Sequence, residues 1–599
     1  MIRRAGAVLG ALAAAALAVG PARAADPILP LADVRPGMVG EARTVVQGTG
    51  IVSFPVTVLD VERTSGEAGG EVILIRAGGP LMAETGGIAE GMSGSPVYVT
   101  GADGVPRVIG AIAYGAGDAA NVLGGVTPIE QMLRPLGGLR NHGREAASPG
   151  RVEVVRDRAA ARVAERNRPG RPALYPLARW MIAGASAPAV APLAGDLARS
   201  GIRLTSAGGR DRRPPVPLVP GASVAALIAA GDVVVGAVGT VTWVDGDRLV
   251  AFGHPFLDTG RSDFLMSDAY VFQTVPNPLQ GTSFKLAEPG VVQGRVTADR
   301  ADGLEGRIGS APAIHVTARA RDVARGTRST VRVDLAPDPR TAPQVGDLVQ
   351  AEPLLRAADG LAGGTLDLRI RVRSPALRRP LVYRNRYAAA ADVAEVSLGP
   401  LTRLLTALLG NSVRGVPIRS IQVEQTLRPR VRAARILAAR VSPTRVRPGQ
   451  RATLRLLVQP WRADRRTIGL RIRIPRDVRP GERRLRVVAN APSGFAAVPP
   501  DLSEDLGTAT TAARARALLP RIDAAAARGR GRRTARLLAA IRRATADRHD
   551  AVRVLGPGED ADDPSAGVVV PAPYVMSGGR AVPRIDVAGR GQRPYSSPR

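Results

Sequence analysis

Glycine and proline break up this chain so often that they limit what it can fold into. The 599 residues include 68 glycines and 50 prolines, about a fifth of the total. Both residue types interrupt helices and favour turns. The composition therefore favours many turns and short strands over a helical bundle, and the sequence predicts a mainly β protein.

The composition also fixes what the cores are made of. Hydrophobic residues make up 45% of the chain, but aromatic residues only 3%. Sizeable cores can form, and they must be built mainly from Val, Leu, Ile and Ala. At about 100–200 residues per domain, the length is sufficient for several domains.

The formal net charge of +31 suggests contact with an anionic partner. Lys285 is the only lysine, so 82 of the 83 basic residues are arginine, and they are spread along the whole chain. A dispersed charge of this kind disfavours a nucleic-acid site and fits anionic surfaces such as lipid head groups or envelope polymers.

The N-terminal 24 residues have the pattern of a signal peptide. Arg3 and Arg4 precede an apolar run at residues 7–19, and Ala-Arg-Ala at residues 22–24 supplies a cleavage site. No later apolar run reaches the ~18 residues of a membrane span. We therefore expect an exported chain, periplasmic, cell-surface or secreted, with no transmembrane helix in its mature part. The chain has no cysteine, which excludes disulfides and thiol catalysis.

Patterning along the mature chain predicts six regions. They are a β-lobe at 30–140, a linker with a helix at 141–215, a second β-lobe at 216–345, a mixed α/β segment at 346–435, an Ig-like β-sandwich at 436–495, and a helical basic and Pro/Gly-rich tail at 496–599. In the sandwich, Leu470, Ile472 and Ile474 alternate with arginines, the period of a half-buried strand.

The most informative motif is Gly-Met-Ser-Gly-Ser-Pro at residues 91–96. A serine nucleophile needs an exposed hydroxyl and backbone N–H groups that bind the oxyanion. A glycine-rich turn before a strand supplies both, because glycine adopts backbone angles closed to other residues. We predict Ser93 as the nucleophile and the N–H groups of Gly91 and Ser93 as the oxyanion hole. The alternative is a glycine-rich turn with an ordinary serine.

Only four histidines are available as a general base. His142 lies in a charged linker, His315 in a strand and His549 in a polar tail, whereas His254 follows an apolar strand in Ala-Phe-Gly-His-Pro-Phe. A side chain at the end of a strand can be aimed into a cleft between lobes. We predict His254 as the base; the alternative is a loop histidine packed beside Phe256.

The order of elements after Ser93 is similar to the end of a chymotrypsin-like peptidase domain. Two predicted strands, at 97–99 and 108–114, follow the serine, and a later strand leads into a helix at 129–133. By that resemblance Ala113, Tyr114 and Gly115 line the substrate pocket.

Residues 85–96, Thr-Gly-Gly-Ile-Ala-Glu-Gly-Met-Ser-Gly-Ser-Pro, resemble the signature of SpoIVB-type serine peptidases. The Gly-His step at 253–254 is similar to that family's histidine motif, and the Val-Arg-Pro-Gly-Met opening at 34–38 resembles its long exported members. The resemblance covers roughly residues 30–140 and 216–310. It implies two chymotrypsin-like β-barrel lobes and limited proteolysis outside the cytoplasm.

Two departures from the family pattern affect the expected site. In SpoIVB itself the histidine precedes the serine, whereas here Ser93 comes first, so the two lobes must dock face to face. The family's acidic residue before the serine is replaced by Gly78. We therefore look downstream of His254 and predict Asp299 as the third triad member. Asp258 is the alternative acid, and the alternative role of Asp299 is that of a turn aspartate paired with Arg300.

The leading interpretation is an exported serine endopeptidase that cleaves envelope or secreted proteins, and also itself. One alternative is an inactive pseudo-peptidase that serves as an envelope binding scaffold; another is a basic surface protein that binds anionic polymers. The predicted partners are a protein or peptide substrate and an envelope partner for the C-terminal region. No cofactor or metal is predicted, because the sequence has no metal-ligand cluster, phosphate-binding loop or nucleotide fingerprint.

Overall fold

We describe the chain from a computed structural model. It describes residues 25–65, 70–101, 103–116, 121–134, 152–155, 157–168, 173–177, 179–191, 204–207, 213–276, 282–411, 415–474, 478–489, 549–556, 559 and 567–588. The predicted signal peptide (1–24), His142 and most of the predicted basic helical pair (510–550) lie outside these ranges.

The first β-lobe is a closed barrel of six strands. They are β1 (Val39–Thr44), β2 (Val52–Ser65), β3 (Glu71–Ala77), β4 (Pro96–Thr100), β5 (Pro106–Ala116) and β6 (Leu123–Pro128). Their order is β1-β4-β5-β6-β3-β2, and the pairing of β1 with β2 closes the ring. Between β1 and β2, Gly48 turns the chain at φ +67°. A 3-10 helix and two short helices complete this lobe, at Leu31–Asp33, Pro80–Thr85 and Ile129–Leu133.

The region predicted as a linker is ordered where the structure describes it. It holds β7 (Val152–Val154), the helix Arg158–Asn167, β8 (Ala173–Pro176), β9 (Trp180–Ala183) and β10 (Leu204–Ala207). Strands β7 and β8 extend the first sheet, and β9 and β10 extend the second. Of the helix predicted at 187–200, residues 187–191 are helical and the rest lies outside the described residues. These short strands were not predicted because their partners, β5 for β8 and β12 for β9, lie far away in the sequence.

The second β-lobe also forms a closed ring of pairings. Its strands are β11 (Ser223–Gly231), β12 (Val234–Asp245), β13 (Arg248–Ala251), β14 (Gly260–Val275), β15 (Phe284–Arg300) and β16 (Gly303–Ile308). The order is β11-β12-β13-β16-β15-β14, and β14 pairs back to β11. Strands β12 and β13 form a hairpin, with Asp245 opposite Arg248.

The same sheet continues into the middle of the chain. It adds β17 (Ile314–Asp322), β18 (Arg328–Leu335), β19 (Gly364–Arg373), β20 (Leu381–Ala389) and β21 (Ser420–Arg428). The helices here are Gly346–Ala358, Val393–Val396 and Pro400–Leu409, and the first packs on β17 and β18. Strands and helices thus alternate here, within the predicted mixed α/β segment at 346–435.

Three small sheets form the C-terminal part. Their strands are β22 (Ala433–Ser442), β23 (Arg445–Val446), β24 (Arg451–Pro460), β25 (Arg466–Arg473), β26 (Gly481–Arg484), β27 (Arg486–Ala489), β28 (Ala551–Leu555), β29 (Val568–Pro571), β30 (Val575–Gly578), β31 (Arg580–Ala581) and β32 (Arg584–Val587). One apolar core joins all three sheets. Beyond residue 495, β28, β30, β31 and β32 pair with strands of the predicted sandwich region or its edge, and β29 pairs with β28.

The prediction of a mainly β chain that contains a β-barrel is confirmed, and the closed barrel has six strands. The Ig-like sandwich and the helical basic tail stay predictions. Within the described ranges, no helix has both the length and the apolarity needed to cross a membrane.

Candidate functional site

Ser93 lies in a tight loop between the helix Pro80–Thr85 and β4. Gly91 and Gly94 flank it at φ +93° and +92°, which explains why both positions are glycine. The loop is fastened by backbone bonds: the Gly94 N–H donates to the Ile112 carbonyl at 2.7 Å, and the Ser95 N–H to the Met92 carbonyl at 3.0 Å. The structure therefore places Ser93 at a rigid turn, as the motif predicted.

The hydroxyl of Ser93 has no hydrogen-bond partner in the described part of the chain. The residue is 1% exposed. A buried polar atom without a protein partner costs free energy and calls for an explanation, of which a catalytic role is one. Ser95 is different, because its hydroxyl donates to the Met92 carbonyl at 2.6 Å and helps to fix the turn.

His254 follows a sharp bend at the end of β13. Phe252 and Gly253 have φ values of +71° and +72°, so the chain reverses just before the histidine. The Nδ1–H donates to the Pro255 carbonyl at 2.8 Å. A carbonyl oxygen only accepts, so this bond puts the proton on Nδ1 and leaves Nε2 as a lone-pair acceptor.

The Nε2 atom of His254 is buried and, among the described residues, has no partner. Burial lowers the pKa of His254 to about 4, although the bond to Pro255 opposes the shift. The imidazole is therefore neutral at physiological pH. A neutral imidazole with a free Nε2 is the form that accepts a proton from a nucleophile.

The loops that carry Ser93 and His254 meet at the junction of the two barrels. The Thr240 N–H donates to the Ser93 carbonyl at 2.7 Å, and the Thr242 hydroxyl to the Gly94 carbonyl at 2.8 Å. From the other side, the Thr127 hydroxyl donates to the Gly253 carbonyl at 2.5 Å. The face-to-face docking required by the reversed order of serine and histidine is present.

The side chains of Ser93 and His254 are not hydrogen-bonded to each other. Ser93 Oγ and His254 Nε2 are both without a partner in the described residues, so no hydrogen bond joins them. The Tyr114 and Phe252 rings flank the imidazole, with ring centroids 6.5 Å and 5.9 Å from it.

Asp299, predicted as the third triad member, makes no hydrogen bond to the imidazole within the described residues. Its carboxylate accepts from the backbone N–H groups of Phe256 at 2.8 Å and Leu257 at 2.7 Å. The Nδ1–H of His254, which a triad acid would accept, is held by Pro255 instead. Burial raises the pKa of Asp299 while these N–H groups lower it. Asp299 is thus a positioning residue that shapes the loop after His254.

The two predicted oxyanion donors differ in their occupancy. The Gly91 N–H donates to the carbonyl of Leu177 at 3.3 Å. No hydrogen bond is formed by the Ser93 N–H within the described part of the chain. Of the two predicted donors, the Gly91 N–H is thus bonded to a protein carbonyl, and the Ser93 N–H has no acceptor among the described residues.

The predicted pocket wall is covered by another strand of the chain. Ala113 accepts from the Leu177 N–H at 3.0 Å, Tyr114 pairs with Pro176, and Gly115 pairs with Tyr175. Burial raises the pKa of the Tyr114 hydroxyl.

Lys285 lies beside the Ser93 loop, although no sequence motif indicated it. Its Nζ donates to the hydroxyls of Thr44 at 3.0 Å and Thr240 at 3.3 Å, and the Thr240 hydroxyl donates to the Gly91 carbonyl at 3.3 Å. Its aliphatic stem lies against Gly91, where an added Cβ would come within 3.1 Å of the Lys285 Cβ.

Burial lowers the pKa of Lys285 to about 7. In the described residues no carboxylate pairs with it. The signal in the sequence was its uniqueness, since every other basic residue is arginine. A compact amine whose charge can be lost is suited to a buried position that arginine cannot fill.

Comparison with known proteins adds one match. Residues 21–133 match the family model described as SpoIVB peptidase S55, a segment that includes Ser93 and the predicted pocket wall but ends before His254. No curated protein and no solved structure matches the chain significantly. The match supports the resemblance of residues 21–133, with their glycine-flanked serine, to SpoIVB-type serine peptidases, which the motif at residues 85–96 predicted.

Proposed function

We propose that this protein is an exported serine endopeptidase in which Ser93 attacks the substrate carbonyl and His254 accepts its proton. The observation that carries the proposal is the pair of buried, unpartnered atoms, Ser93 Oγ and His254 Nε2, at the junction of the two barrels. The family match at residues 21–133 supports serine peptidase chemistry.

Each group has a role in that mechanism. His254, neutral and protonated on Nδ1, takes the Ser93 proton at Nε2 as the hydroxyl attacks. The N–H groups of Ser93 and Gly91 stabilise the oxyanion that forms on the substrate. The Pro255 carbonyl holds the tautomer of the imidazole, a task given to a carboxylate in a full triad. The site is therefore a Ser–His dyad supported by a backbone carbonyl.

The finer parts of the proposal rest on other evidence. Export follows from the signal-peptide pattern at residues 1–24. Limited proteolysis of envelope or secreted proteins, including self-cleavage, is what the resemblance to SpoIVB-type peptidases implies. A protein substrate fits a site bordered by the pairing edge of β5.

A pseudo-peptidase is the second candidate, and the closed site favours it. Ser93 and His254 are 1% and 0% exposed and do not bond to each other. A scaffold that kept the fold without the reaction would look the same.

A fluorophosphonate probe separates the two candidates. We expect the probe to label Ser93 in the folded chain, as located by mass spectrometry, and Ser93→Ala to abolish both labelling and peptidase activity, a loss on the order of 10⁶-fold. His254→Ala should slow labelling strongly, whereas His315→Ala, on an exposed strand position paired with Asp334, should not. Absence of labelling at Ser93, also when the site is opened as described below, would establish the pseudo-peptidase.

A further inference from the structure

Residues 173–177, here called the covering segment, run along the strand that carries the predicted pocket wall. Strand β8 lies antiparallel to β5, with Ala116 opposite Leu174 and Gly115 opposite Tyr175. The pairing continues past the end of β8, where the Leu177 N–H donates to the Ala113 carbonyl at 3.0 Å. An added antiparallel strand is one of the ways in which proteins bind extended peptides.

The carbonyl at the end of the covering segment meets the Ser93 loop. Leu177 O accepts from the Gly91 N–H at 3.3 Å. Gly91 lies two residues before the nucleophile and is a predicted oxyanion donor. Leu177 therefore occupies the position of the substrate residue whose carbonyl would be attacked. Its N–H donates to the strand of the pocket wall, and its carbonyl accepts from a predicted oxyanion donor.

Side chains of the covering segment fill the space beside that wall. Leu177 is 0% exposed and Tyr175 is 2% exposed, and both join the apolar core of the Ser93 barrel. A Cβ at Gly115 would lie 2.8 Å from the Tyr175 hydroxyl and 3.2 Å from Leu177 Cδ2. Glycine at 115 therefore makes room for these two side chains.

A third contact anchors the chain just beyond the covering segment. Arg179 pairs with the buried carboxylate of Glu90, the residue before Gly91. Its guanidinium also stacks on the Phe284 ring, 4.0 Å from the ring centre. The segment is held on the wall side by β5 and on the nucleophile side by Gly91 and Glu90.

From these contacts we propose that the covering segment is a built-in ligand that occupies the peptide-binding site of Ser93 and blocks it. The inference rests on the proposed function of Ser93. It accounts for the closed site, and it names the substrate class: an extended peptide with an apolar side chain at the Leu177 position, preceded by proline and an aromatic residue. An outside substrate must displace this segment.

The test measures peptide binding in a chain that cannot react. The host is the full-length Ser93→Ala protein, and the probe is a fluorescently labelled Ala-Leu-Tyr-Pro-Leu, the sequence of residues 173–177. A tethered ligand acts at an effective concentration of about 1 mM, so the parent host should not bind micromolar probe. Leu177→Ala and Arg179→Gln each weaken the tethered segment, and we expect each to raise the probe's affinity by about tenfold or more.

Two controls separate displacement from general loosening. Ile75→Ala removes a fully buried side chain from the same core but leaves the covering segment intact, so it should not raise affinity. A probe ending in Asp instead of Leu should not bind, because the position of Leu177 is apolar and closed. Arg179→Gln changes a partly exposed side chain and keeps the test valid where Leu177→Ala does not fold.

The outcomes are distinct from those for the proposed function. Equal, weak binding by the parent, Leu177→Ala, Arg179→Gln and Ile75→Ala hosts would overturn the built-in ligand and make β8 an ordinary structural strand. Because the host lacks the nucleophile, this result is independent of catalysis. With Ser93 restored, absence of fluorophosphonate labelling in the opened Leu177→Ala and Arg179→Gln chains would reject the peptidase function and leave the binding result standing.

Discussion

His254 donates its Nδ1–H to the carbonyl of Pro255, the next residue in the chain, at 2.8 Å. A contact between neighbours places the tautomer of the imidazole under the control of the loop that follows it. That loop is held by Asp299, whose carboxylate accepts hydrogen bonds from the N–H groups of Phe256 and Leu257. The acid thus acts on the backbone beside the base and does not touch the base itself.

This arrangement predicts a mild catalytic effect for Asp299→Asn. An asparagine keeps one acceptor oxygen and puts an NH₂ group where the other was, so a buried N–H loses its acceptor at a cost of about 1–3 kcal/mol. We expect that loss in the free energy of unfolding, measured with urea. We expect a fall in kcat far smaller than the ~10⁴-fold caused by neutralising a true triad aspartate.

Asp258→Asn is the matched control for Asp299→Asn. Asp258 lies in the same loop at φ +51°, a conformation that asparagine accepts, so stability and kcat should change little. A loss of kcat near 10⁴-fold in Asp299→Asn, with unchanged stability, would restore Asp299 as the triad acid.

Lys285 gives the protein a pH-dependent stability at alkaline pH. The pKa of this amine is lowered from 10.5 to about 7 in the folded chain. Between those values the unfolded chain holds the proton and the folded chain does not, so stability rises with pH through this window and is lost as pH falls towards 7. One group contributes at most ~1.4 kcal/mol per pH unit.

Lys285→Met keeps the aliphatic stem and removes the titration. We expect its free energy of unfolding to rise less with pH between 7 and 10 than that of the wild type. Lys285→Arg forces a permanent charge and a larger head group into the same space and should unfold at the lowest temperature of the three. Equal pH slopes in wild type and Lys285→Met would show that the amine is not held in the neutral form.

At Gly94 the backbones of the two barrels come into close contact. A Cβ there would lie 1.9 Å from the Thr240 carbonyl oxygen and 2.5 Å from the Phe252 nitrogen, both backbone atoms of the second barrel. Gly94→Ala should therefore separate the Ser93 and His254 loops. We expect a loss of more than ~3 kcal/mol of stability, seen in thermal unfolding, together with loss of labelling at Ser93.

Gly104→Ala separates backbone strain from this clash. Gly104 has a similar positive φ of +74°, but a Cβ there meets nothing within 4 Å. It should cost only the ~1–2 kcal/mol of left-handed strain and leave labelling unchanged. Similar losses in the two variants would mean that Gly94 is strained but is not a docking contact.

Patterns within short stretches of sequence determined several features of this protein. The density of glycine and proline indicated β structure, and the alternation at Leu470 and Ile472 matches buried side chains between exposed arginines. The glycines around Ser93 indicated a strained turn and a family. These features depend on the backbone preferences of single residues and on which side of one element is buried. Both can be predicted from residues that are neighbours in the sequence.

Contacts between distant residues were decided only by the tertiary structure. Leu177 lies on Gly91 and Lys285 lies beside Thr240 because two barrels closed and docked, and nothing local to either residue encodes its partner. Asp299 was predicted from its spacing to His254, but its carboxylate accepts hydrogen bonds from backbone N–H groups and not from the imidazole. Whether a buried polar atom has a partner depends on atoms brought together from across the chain, so the sequence could name Ser93 and His254 as candidates but not the hydrogen bonds around them.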